Sequence, residues 1–300
     1  MASRHRATEN QPLTTTSLTL RSALTRATAQ LDASPNLRAD AHRDALLLLL
    51  HTLGISRATL HADPNRALTP EHQSQFEALV QRRLTNEPIQ YITGEQEFYS
   101  LALRVTPAVL IPRPETEHLV ESVLAELNHQ APLKILDIGT GSGAIAIGLA
   151  HHLPNAQITA VDISPAALEI AASNAARHNL TQRIRFLESN LLDALSPGDA
   201  TFDAIVSNPP YVPTSDRDTL HAQVRDFEPG VALYAGPAGL DIYRRLIPQA
   251  RAALKPNGLL ALEIGHRQRD AIAAFLAGWN ALRFVDDLQQ IPRVALARKP

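Results

Sequence analysis

The stretch Leu136-Asp137-Ile138-Gly139-Thr140-Gly141-Ser142-Gly143 decides the fold of this chain. It continues an apolar segment that begins at Lys134, and a helical pattern starts at its last glycine. Glycine lets the backbone turn sharply and lets a ligand approach the main chain closely. A glycine turn between a strand and a helix is typical of nucleotide-binding α/β folds. The stretch therefore predicts a ligand site at the carboxyl end of a buried strand.

Strands and helices alternate after this turn. Such alternation predicts an α/β fold with right-handed βαβ units and a mostly parallel sheet. The last two apolar segments are predicted to form a hairpin, which would add a late antiparallel strand to the sheet. The predicted strands are Lys134–Asp137, Gln157–Asp162, Ile184–Glu188, Phe202–Ser207, Leu259–Ile264, Leu282–Asp286 and Val294–Arg298.

Asp162 ends the next predicted strand, about twenty residues after the glycines, where a carboxylate can bind both hydroxyls of a ribose. Gly139, Gly141 and Ala144 also satisfy the G-x-G-x-x-A pattern of nicotinamide-dependent oxidoreductases, which are one alternative. Against that alternative, Asp137 would be unfavourable beside a diphosphate and acceptable beside a sulfonium. The acid before the turn and the closely spaced third glycine resemble the S-adenosylmethionine turn of class I methyltransferases.

A second motif, Asn208-Pro209-Pro210-Tyr211, follows the predicted strand Phe202–Ser207. Proline cannot donate an N–H group to a sheet, so the two prolines end the strand in a stiff turn with free carbonyl groups. The Asn208 side chain offers an acceptor and two donors, which suits a site that binds a planar amide or an amino-substituted base. The turn is expected at the same edge of the sheet as the glycines, where such folds bind ligands.

Composition limits the possible partners. The net charge of −2 and the pI near 6.6 argue against chain-wide electrostatic attraction to nucleic acid. The chain has no cysteine, which excludes disulfides and thiolate metal sites and agrees with a reducing compartment. It begins with a polar segment that lacks the apolar core of a signal peptide, and the run Leu46–Leu50 is too short to span a bilayer. We expect a cytoplasmic monomer that has no membrane partner.

The pattern divides the chain into four parts. Residues 1–16 are polar and predict a disordered tail. Residues 17–86 predict a small helical domain, because apolar residues recur at helical spacing between capping signals. Residues 87–110 carry short β-prone segments and predict a hairpin linker, and residues 111–300 form the predicted catalytic domain. No metal site is expected, because the histidines lack the spacing of a ligand set.

With these motifs in view, the chain resembles the PrmC/HemK family of peptide chain release factor glutamine methyltransferases over nearly its whole length after the tail. Besides the glycine turn and Asn208–Pro213, the resemblance rests on Glu87-Pro88-Ile89-Gln90-Tyr91-Ile92-Thr93-Gly94, Ile111-Pro112-Arg113-Pro114-Glu115-Thr116-Glu117 and Glu263-Ile264-Gly265. It implies a class I S-adenosylmethionine-dependent methyltransferase with a Rossmann-like sheet, and an N-terminal helical domain that helps hold the release factor. The implied reaction methylates the side-chain nitrogen of the glutamine in the Gly-Gly-Gln loop of class 1 release factors.

The resemblance also implies roles for single residues. Asp162 would hold the ribose of the methyl donor, and Leu191 would pack on its adenine. This chain has Asn190 where the family usually has an aspartate, which leaves open how the adenine is held. The residues that would line the donor in the glycine turn are Gly139, Thr140, Gly141, Ser142 and Gly143.

Glutamine methylation explains the use of the second motif. An amide nitrogen is a poor nucleophile because its lone pair is delocalised into the carbonyl group, so the site must orient it. Asn208, which also borders the donor, and the Pro209 carbonyl group are predicted to accept the two amide protons. Pro210 would stiffen the substrate site, and Tyr211 would supply an aromatic wall or a face for the sulfonium. No general base is required, and the acceptor of the released proton stays open.

The nearest alternative is a DNA or RNA amino methyltransferase, since Asn-Pro-Pro-aromatic loops also grip the amino groups of bases that are flipped out of a helix. The near-neutral charge and the helical domain argue against it, and no direct nucleic acid partner is expected. Arg113, Glu115 and Thr116 could shape the donor pocket, and Glu228 could order the loop after the second motif. Capping and turn formation explain these four residues equally well.

Overall fold

The computed structural model describes residues 18–196 and 201–300. The tail predicted at residues 1–16 lies outside the described residues. The chain divides after Ile89 into two compact units, here called the helical unit and, from Gln90 onward, the α/β unit. Among the described residues, no helix is long and apolar enough to cross a membrane.

The helical unit is built from amphipathic helices whose ends match the capping signals of the sequence. Thr19 caps the first helix, and this helix buries Leu20 and Leu31 on its inner face. Gly54, with a φ of 60°, ends the second helix, and the Thr69 hydroxyl accepts a hydrogen bond from the His72 N–H at 3.2 Å. The helices are α1 (Leu20–Asp32), α2 (Ala41–Leu53), α3 (Arg57–Ala62) and α4 (Pro70–Leu84).

A buried ion pair joins α2 to α4. Arg83 Nε donates to Asp44 Oδ2 at 2.8 Å, and a guanidinium nitrogen of Arg83 donates to the Glu87 carbonyl oxygen at 2.9 Å. The Arg83 and Asp44 side chains are 2% and 0% exposed. Each charge depends on the other, because a single buried charge without its partner is strongly destabilising.

A short helix that begins at the last residue of the helical unit, α5 (Ile89–Thr93), is followed in the α/β unit by a hairpin, β1 (Glu95–Phe98) and β2 (Leu101–Arg104). Tyr99 and Ser100 form the two-residue turn with φ values of 52° and 60°, which suits the twist of a hairpin. Phe98 and Leu103 lie in the same buried cluster as helix and sheet residues of this unit. The hairpin, which the sequence placed in a linker at residues 87–110, is thus part of the α/β unit.

The described residues of this unit form a seven-stranded sheet in the order β5-β4-β3-β6-β7-β9-β8. The strands from β5 to β7 are parallel, whereas β9 is antiparallel to both of its neighbours, so the predicted parallel sheet and late hairpin are confirmed. The strands are β3 (Lys134–Ile138), β4 (Gln157–Asp162), β5 (Ile184–Glu188), β6 (Phe202–Ser207), β7 (Leu254–Glu263), β8 (Asn280–Asp286) and β9 (Pro292–Arg298).

Helices cover both faces of the sheet. Alternate side chains of each strand point to opposite faces, so Ile135 and Leu136 of β3 belong to two different buried clusters. The cluster that holds Ile135 includes Leu119 and Ile147 from helices on one face, and the cluster that holds Leu136 includes Tyr243 and Ile272 from helices on the other face. The helices are α6 (Pro114–Glu126), α7 (Ala144–His152), α8 (Pro165–Arg177), α9 (Ala222–Phe227), α10 (Asp241–Ala253) and α11 (Arg269–Phe275).

The strand order creates a switch point at β3. From β3 the chain first proceeds outward to β4 and β5, and then returns to add β6 and β7 on the other side. Ligands of open α/β sheets bind outside the carboxyl ends of the strands where the order reverses. The glycine turn after β3 and the Asn208 loop after β6 lie at this point.

Candidate active site

A cavity of about 290 Å³ opens at the carboxyl ends of the central strands. Its volume is near the lower end of the range of about 300–1,000 Å³ that is usual for ligand pockets. The cavity brings together the two sequence motifs and the acid that ends β4. The predicted site residues that line it are Gly139, Thr140, Gly141, Ser142, Asp162, Leu191, Asn208, Pro209 and Pro210.

The glycine turn leaves open space beside its backbone. Gly139 and Gly141 have φ values of 72° and 56°, and a Cβ atom at either position would meet no atom within 4 Å. These left-handed conformations favour glycine. The Thr140 hydroxyl donates to Asp137 Oδ2 at 2.7 Å, which ties the turn to the buried end of β3. The turn is thus a cradle that a ligand can approach closely.

Asp162 supports the turn from the neighbouring strand. One carboxylate oxygen accepts the Gly141 N–H at 2.9 Å, and the other accepts the Ser164 N–H at 2.9 Å. Burial raises the pKa of Asp162, while these backbone donors oppose the rise. Each carboxylate oxygen has more than one lone pair, so the group can accept further hydrogen bonds from hydroxyl groups in the cavity.

Three residues near these motifs have places outside the cavity lining. Gly143 begins α7 with a φ of 83°, and a Cβ atom there would approach Ile147 Cδ1 to 3.1 Å and Ala171 Cβ to 3.2 Å. The structure therefore gives Gly143 a packing role between α7 and α8. Asp137 is fully buried behind the turn, and burial raises its pKa to about 7. Tyr211 points toward the interior, as described below.

The segment after β5 forms another wall of the cavity. Leu191 lines it with a φ of 56°, and Ile163, half of whose surface is exposed, lines the same cavity. Asn190 Oδ1 accepts a hydrogen bond from Arg245 at 3.0 Å, and both residues line the cavity. The amide in place of the family's aspartate thus contacts an arginine of α10 that the sequence analysis did not single out.

Asn208 is held by a residue of α6. Its side-chain nitrogen donates to the Thr116 hydroxyl oxygen at 3.0 Å. Because the nitrogen is engaged on that side, the carbonyl oxygen is the remaining polar atom of the amide. Thr116 and Asn208 both line the cavity, and the Ser207 hydroxyl, one residue before Asn208, donates to the Ile138 carbonyl oxygen at 2.7 Å. These bonds fix the turn that carries Asn208 against β3 and α6.

A buried carboxyl group at the end of β7 extends this chain of contacts. Glu263 is 1% exposed; its Oε2 accepts the Thr116 hydroxyl proton at 2.7 Å, and its Oε1 accepts the Tyr211 hydroxyl proton at 3.2 Å. Burial raises the pKa of Glu263 to about 7, while the two hydroxyl donors and Arg293 oppose the rise. Burial and the neighbouring Glu263 raise the pKa of Tyr211 well above its ordinary value, so Tyr211 stays a donor at neutral pH.

The Ile111–Glu117 motif is fastened to the loop after Asn208 by Glu228. One oxygen of the Glu228 carboxylate accepts the Ile111 N–H at 3.2 Å, and the other is paired with Arg113. Glu228 is buried, which raises its pKa, and the Arg113 cation opposes that rise. This pairing holds together two segments that both line the cavity, since Arg113 and Pro229 belong to its wall.

Sequence reasoning underestimated two of these residues. Thr116 was singled out only as a helix-capping or pocket-shaping residue, and Glu263 only as part of a family motif. A usable signal was present for Glu263, because it is an acid at the carboxyl end of an otherwise apolar strand in an α/β fold. No local pattern indicates that these two side chains meet, since they lie 147 positions apart.

Two family models match the chain. Residues 22–94 match the model of the PrmC N-terminal domain, and residues 116–226 match that of the methyltransferase small domain. The second match contains the glycine turn, Asp162 and the Asn208 loop. The two matches therefore fall on the helical region and on the sheet region that carries the cavity.

Curated relatives match over almost the whole chain. The release factor glutamine methyltransferase of Koribacter versatilis (strain Ellin345) is 46% identical over 287 residues, which are 94% of this chain and 99% of the relative. The protein of the same name from Moorella thermoacetica (strain ATCC 39073 / JCM 9320) is 46% identical over 270 residues, 89% of this chain and 92% of the relative. These names disfavour the nucleic-acid and oxidoreductase alternatives.

The fold is also shared with a solved structure of low identity. A 16S rRNA methyltransferase from T. Thermophilus, in complex with AdoMet and guanosine, is 20% identical with a TM-score of 0.51, covering 69% of this chain and 50% of that one. At this identity the likeness shows the fold alone, which is that of S-adenosylmethionine-dependent methyltransferases.

Proposed function

The chain belongs to the release factor glutamine methyltransferase family, and on that premise we propose that it methylates the side-chain nitrogen of the glutamine in the Gly-Gly-Gln loop of class 1 peptide chain release factors. The observation that carries the proposal is the position of Asn208 and Pro209. They line the same cavity as the glycine turn and Asp162, so an amide acceptor group and a donor site share one space. The methyl donor is S-adenosylmethionine.

The residues around the cavity fit this donor. The open backbone at Gly139 and Gly141 admits close approach, and Asp162 keeps acceptor capacity for ribose hydroxyls. Leu191 and Ile163 offer apolar surface for an adenine ring. When bound, S-adenosylmethionine supplies an electrophilic methyl group on a positively charged sulfur. Thr140, Ser142 and Gly143 complete the proposed donor site, Gly143 through helix packing.

The chain's contribution to catalysis is orientation of the amide nitrogen. Asn208 Oδ1 and the Pro209 carbonyl oxygen accept hydrogen bonds from the two N–H groups of the glutamine amide, which directs the nitrogen toward the methyl group. Pro210 keeps the Pro209 carbonyl group in place because its ring restricts the backbone. The Tyr211 hydroxyl donates to Glu263 and so anchors the Asn208 loop to the end of β7 rather than forming a wall of the cavity. Catalysis in this scheme rests on proximity and preorganised acceptors.

Mass spectrometry of a release factor incubated with the purified chain and S-adenosylmethionine tests the proposal. We expect one added methyl group on the glutamine-bearing peptide, and none on a release factor whose motif glutamine is replaced by asparagine. In Asn208→Ala the rate should fall by about two to three orders of magnitude, the scale of losing one preorganised polar partner. Methyl transfer to RNA or DNA without transfer to the release factor would refute the proposal and favour the nucleic-acid alternative.

The helical unit is proposed to hold the release factor while the α/β unit performs the transfer. This division follows the two family-model matches, one to each region. We further propose that the enzyme acts as a cytoplasmic monomer, as its composition suggests. Size-exclusion chromatography with light scattering would detect a stable dimer, which would contradict the monomer proposal.

A further inference from the structure

The hydrogen-bond chain from Glu263 to Asn208 has a defined direction. A threonine hydroxyl carries one proton and can accept on its lone pairs. An ionised carboxylate can only accept, so the 2.7 Å contact with Glu263 uses the Thr116 proton. The Thr116 oxygen is then left as an acceptor on its other side, where it meets the Asn208 side-chain nitrogen at 3.0 Å.

This direction matters because an asparagine amide has two different ends. One end carries two donors and the other an acceptor, and rotation of the amide by half a turn exchanges them. The glutamine amide of the substrate presents N–H groups, so it requires an acceptor from the enzyme. With Asn208 Nδ2 bound to Thr116, Oδ1 is the end that is left to receive it.

We propose that Glu263 and Thr116 are positioning residues for methyl transfer: the ionised Glu263 side chain accepts a hydrogen bond from the Thr116 hydroxyl, and the Thr116 oxygen in turn accepts one from the Asn208 side-chain nitrogen, which leaves the Asn208 carbonyl oxygen toward the substrate amide. The inference rests on the proposed role of Asn208 in binding that amide. Neither residue contacts the reacting atoms in this scheme. Both act through the orientation of one side chain.

The ionisation of Glu263 determines the direction of the chain. Several groups face it: Thr116 and the Glu115 carboxylate from α6, Tyr211 from the loop after β6, Tyr243 from α10 through the Glu263 main-chain oxygen, and Arg293 from β9. Burial dominates among them and raises the pKa of Glu263 to about 7. A protonated Glu263 can donate to Thr116, which frees the Thr116 proton for Asn208 and allows the amide to turn its nitrogen toward the substrate.

A double-mutant cycle between Thr116 and Asn208 tests the coupling. Thr116→Val keeps the shape but removes the hydroxyl, and we expect kcat to fall about ten-fold, the scale of one lost hydrogen bond. Thr116→Ser should restore most of the activity, and the KM for the release factor should change less than about two-fold, since the partner surface is retained. In an Asn208→Ala background, Thr116→Val should have no further effect.

Ser122→Ala provides a matched control, because Ser122 is a buried hydroxyl on the same helix and lies outside the cavity lining. Additive losses in the double mutant would overturn the inference, since a merely structural role of Thr116 would lower activity in both backgrounds. Wild-type activity on the release factor serves as the reference. If the wild type itself failed to methylate release factors, the proposed function would fail, whereas additive losses in an active enzyme would refute only the positioning role.

The pH dependence of kcat gives a second test that does not depend on Thr116 variants. For the wild type we expect kcat to rise with pH by up to about ten-fold per unit below pH 7 and to level off above it. Glu263→Gln cannot ionise, so its profile should lose this rise. Asp137 is also buried with a pKa of about 7, and a rise that persists unchanged in Glu263→Gln would assign the titration to another group and overturn the proposed role of Glu263.

Discussion

At the scale of single residues, the Asp162 carboxylate both holds the glycine turn and faces the cavity. It accepts N–H groups from the glycine turn and from the start of α8, and it lines the cavity with its remaining acceptor capacity. Burial works against its charge, and the two backbone donors preserve it. Under the proposed function, Asp162 both shapes the donor site and binds the donor.

Asp162→Ala should therefore weaken S-adenosylmethionine binding strongly. We expect the Kd to rise by at least about ten-fold, because hydrogen bonds to a charged group each contribute about 1.5–3 kcal/mol. Isothermal titration calorimetry measures this directly. Glu169→Ala is a suitable control, because Glu169 is an exposed acid on α8 outside the cavity lining. Equal affinities in Asp162→Ala and wild type would exclude Asp162 from the donor site.

Glu263 makes stability depend on pH in a direction opposite to that of most acids. Its pKa is about 7 in the folded chain and 4.5 as the reference value, so the folded state retains the proton to higher pH. The stability that the folded state gains from keeping Glu263 protonated is fully present below about pH 4.5 and is lost as the pH rises through 7. The total change is on the order of 3 kcal/mol.

Glu263→Gln should remove this loss. The free energy of unfolding of the variant minus that of the wild type should be about 2–3 kcal/mol larger at pH 8 than at pH 5, because glutamine stays neutral while Glu263 ionises. Urea unfolding at the two pH values measures the difference, and the contribution of Asp137 cancels between the two proteins. A wild-type-to-variant difference that is the same at both pH values would show that Glu263 does not titrate in this range.

At the scale of elements, helix α7 has two glycines, one at its start and one inside it, that the structure requires to different degrees. Gly143 combines a φ of 83° with close approach to Ile147 and Ala171. Gly148 lies within α7, and a Cβ atom there would meet Val120 and Phe98 at ordinary contact distances of 3.6 and 3.7 Å. The same substitution at the two positions separates backbone strain from helix propensity.

Gly143→Ala should destabilise the chain by about 1–3 kcal/mol, because it forces a left-handed conformation on alanine and crowds α8. Gly148→Ala should be neutral or stabilising by up to about 1 kcal/mol, since alanine favours a helix over glycine. Differential scanning calorimetry of both variants tests the contrast. Equal Tm values for Gly143→Ala and Gly148→Ala would contradict the packing role of Gly143.

At the scale of the whole molecule, the proposed division of roles between the two units is tested by a substitution that disturbs the helical unit alone. Arg83→Met should destabilise the helical unit by about 3–5 kcal/mol, because it leaves the Asp44 charge buried without its main partner. If the helical unit holds the release factor, the variant should show a raised KM for the release factor and an unchanged Kd for S-adenosylmethionine. Steady-state kinetics and calorimetry provide the two quantities.

The neighbouring Arg82→Met is the matched control for this prediction. The Arg82 side chain is 45% exposed and pairs with Glu87, and such surface pairs contribute about 0–1 kcal/mol. It should leave both constants unchanged. A parallel loss of donor affinity in Arg83→Met would contradict separate roles for the two units.

Much of the architecture could be predicted because its signals are local. The strands Gln157–Asp162, Ile184–Glu188 and Phe202–Ser207 match the predicted bounds, since apolar runs end at polar or proline-rich turns. Strand β7 begins at Leu254, five residues before its predicted start, because its first residues include Lys255, Pro256 and Gly258, which do not favour a strand. Leu254 pairs with Phe202, and the ladder between β6 and β7 shifts register before Leu259, so these residues form an irregular start of the strand.

The site could be predicted only as far as its motifs extended. The glycine turn, Asp162 and Asn208 lie together because parallel strands bring their carboxyl ends to one edge. The inward direction of Tyr211 could not be predicted, because it depends on Glu263, a buried acceptor more than fifty positions away. Such a contact is a property of the assembled sheet and not of any segment.

The sheet order also has a consequence for folding during synthesis. Strand β9 lies between β7 and β8, although β8 is made first. Until Pro292–Arg298 leaves the ribosome, β8 has no strand to pair with, and the edge of β7 that carries Leu260 and Leu262 stays open. Open apolar edges promote aggregation in incomplete chains. Until β9 is made, a nascent chain of this enzyme therefore presents the open edge of β7 to pairing with other chains, although every residue of the proposed site up to Glu263 has already been synthesised.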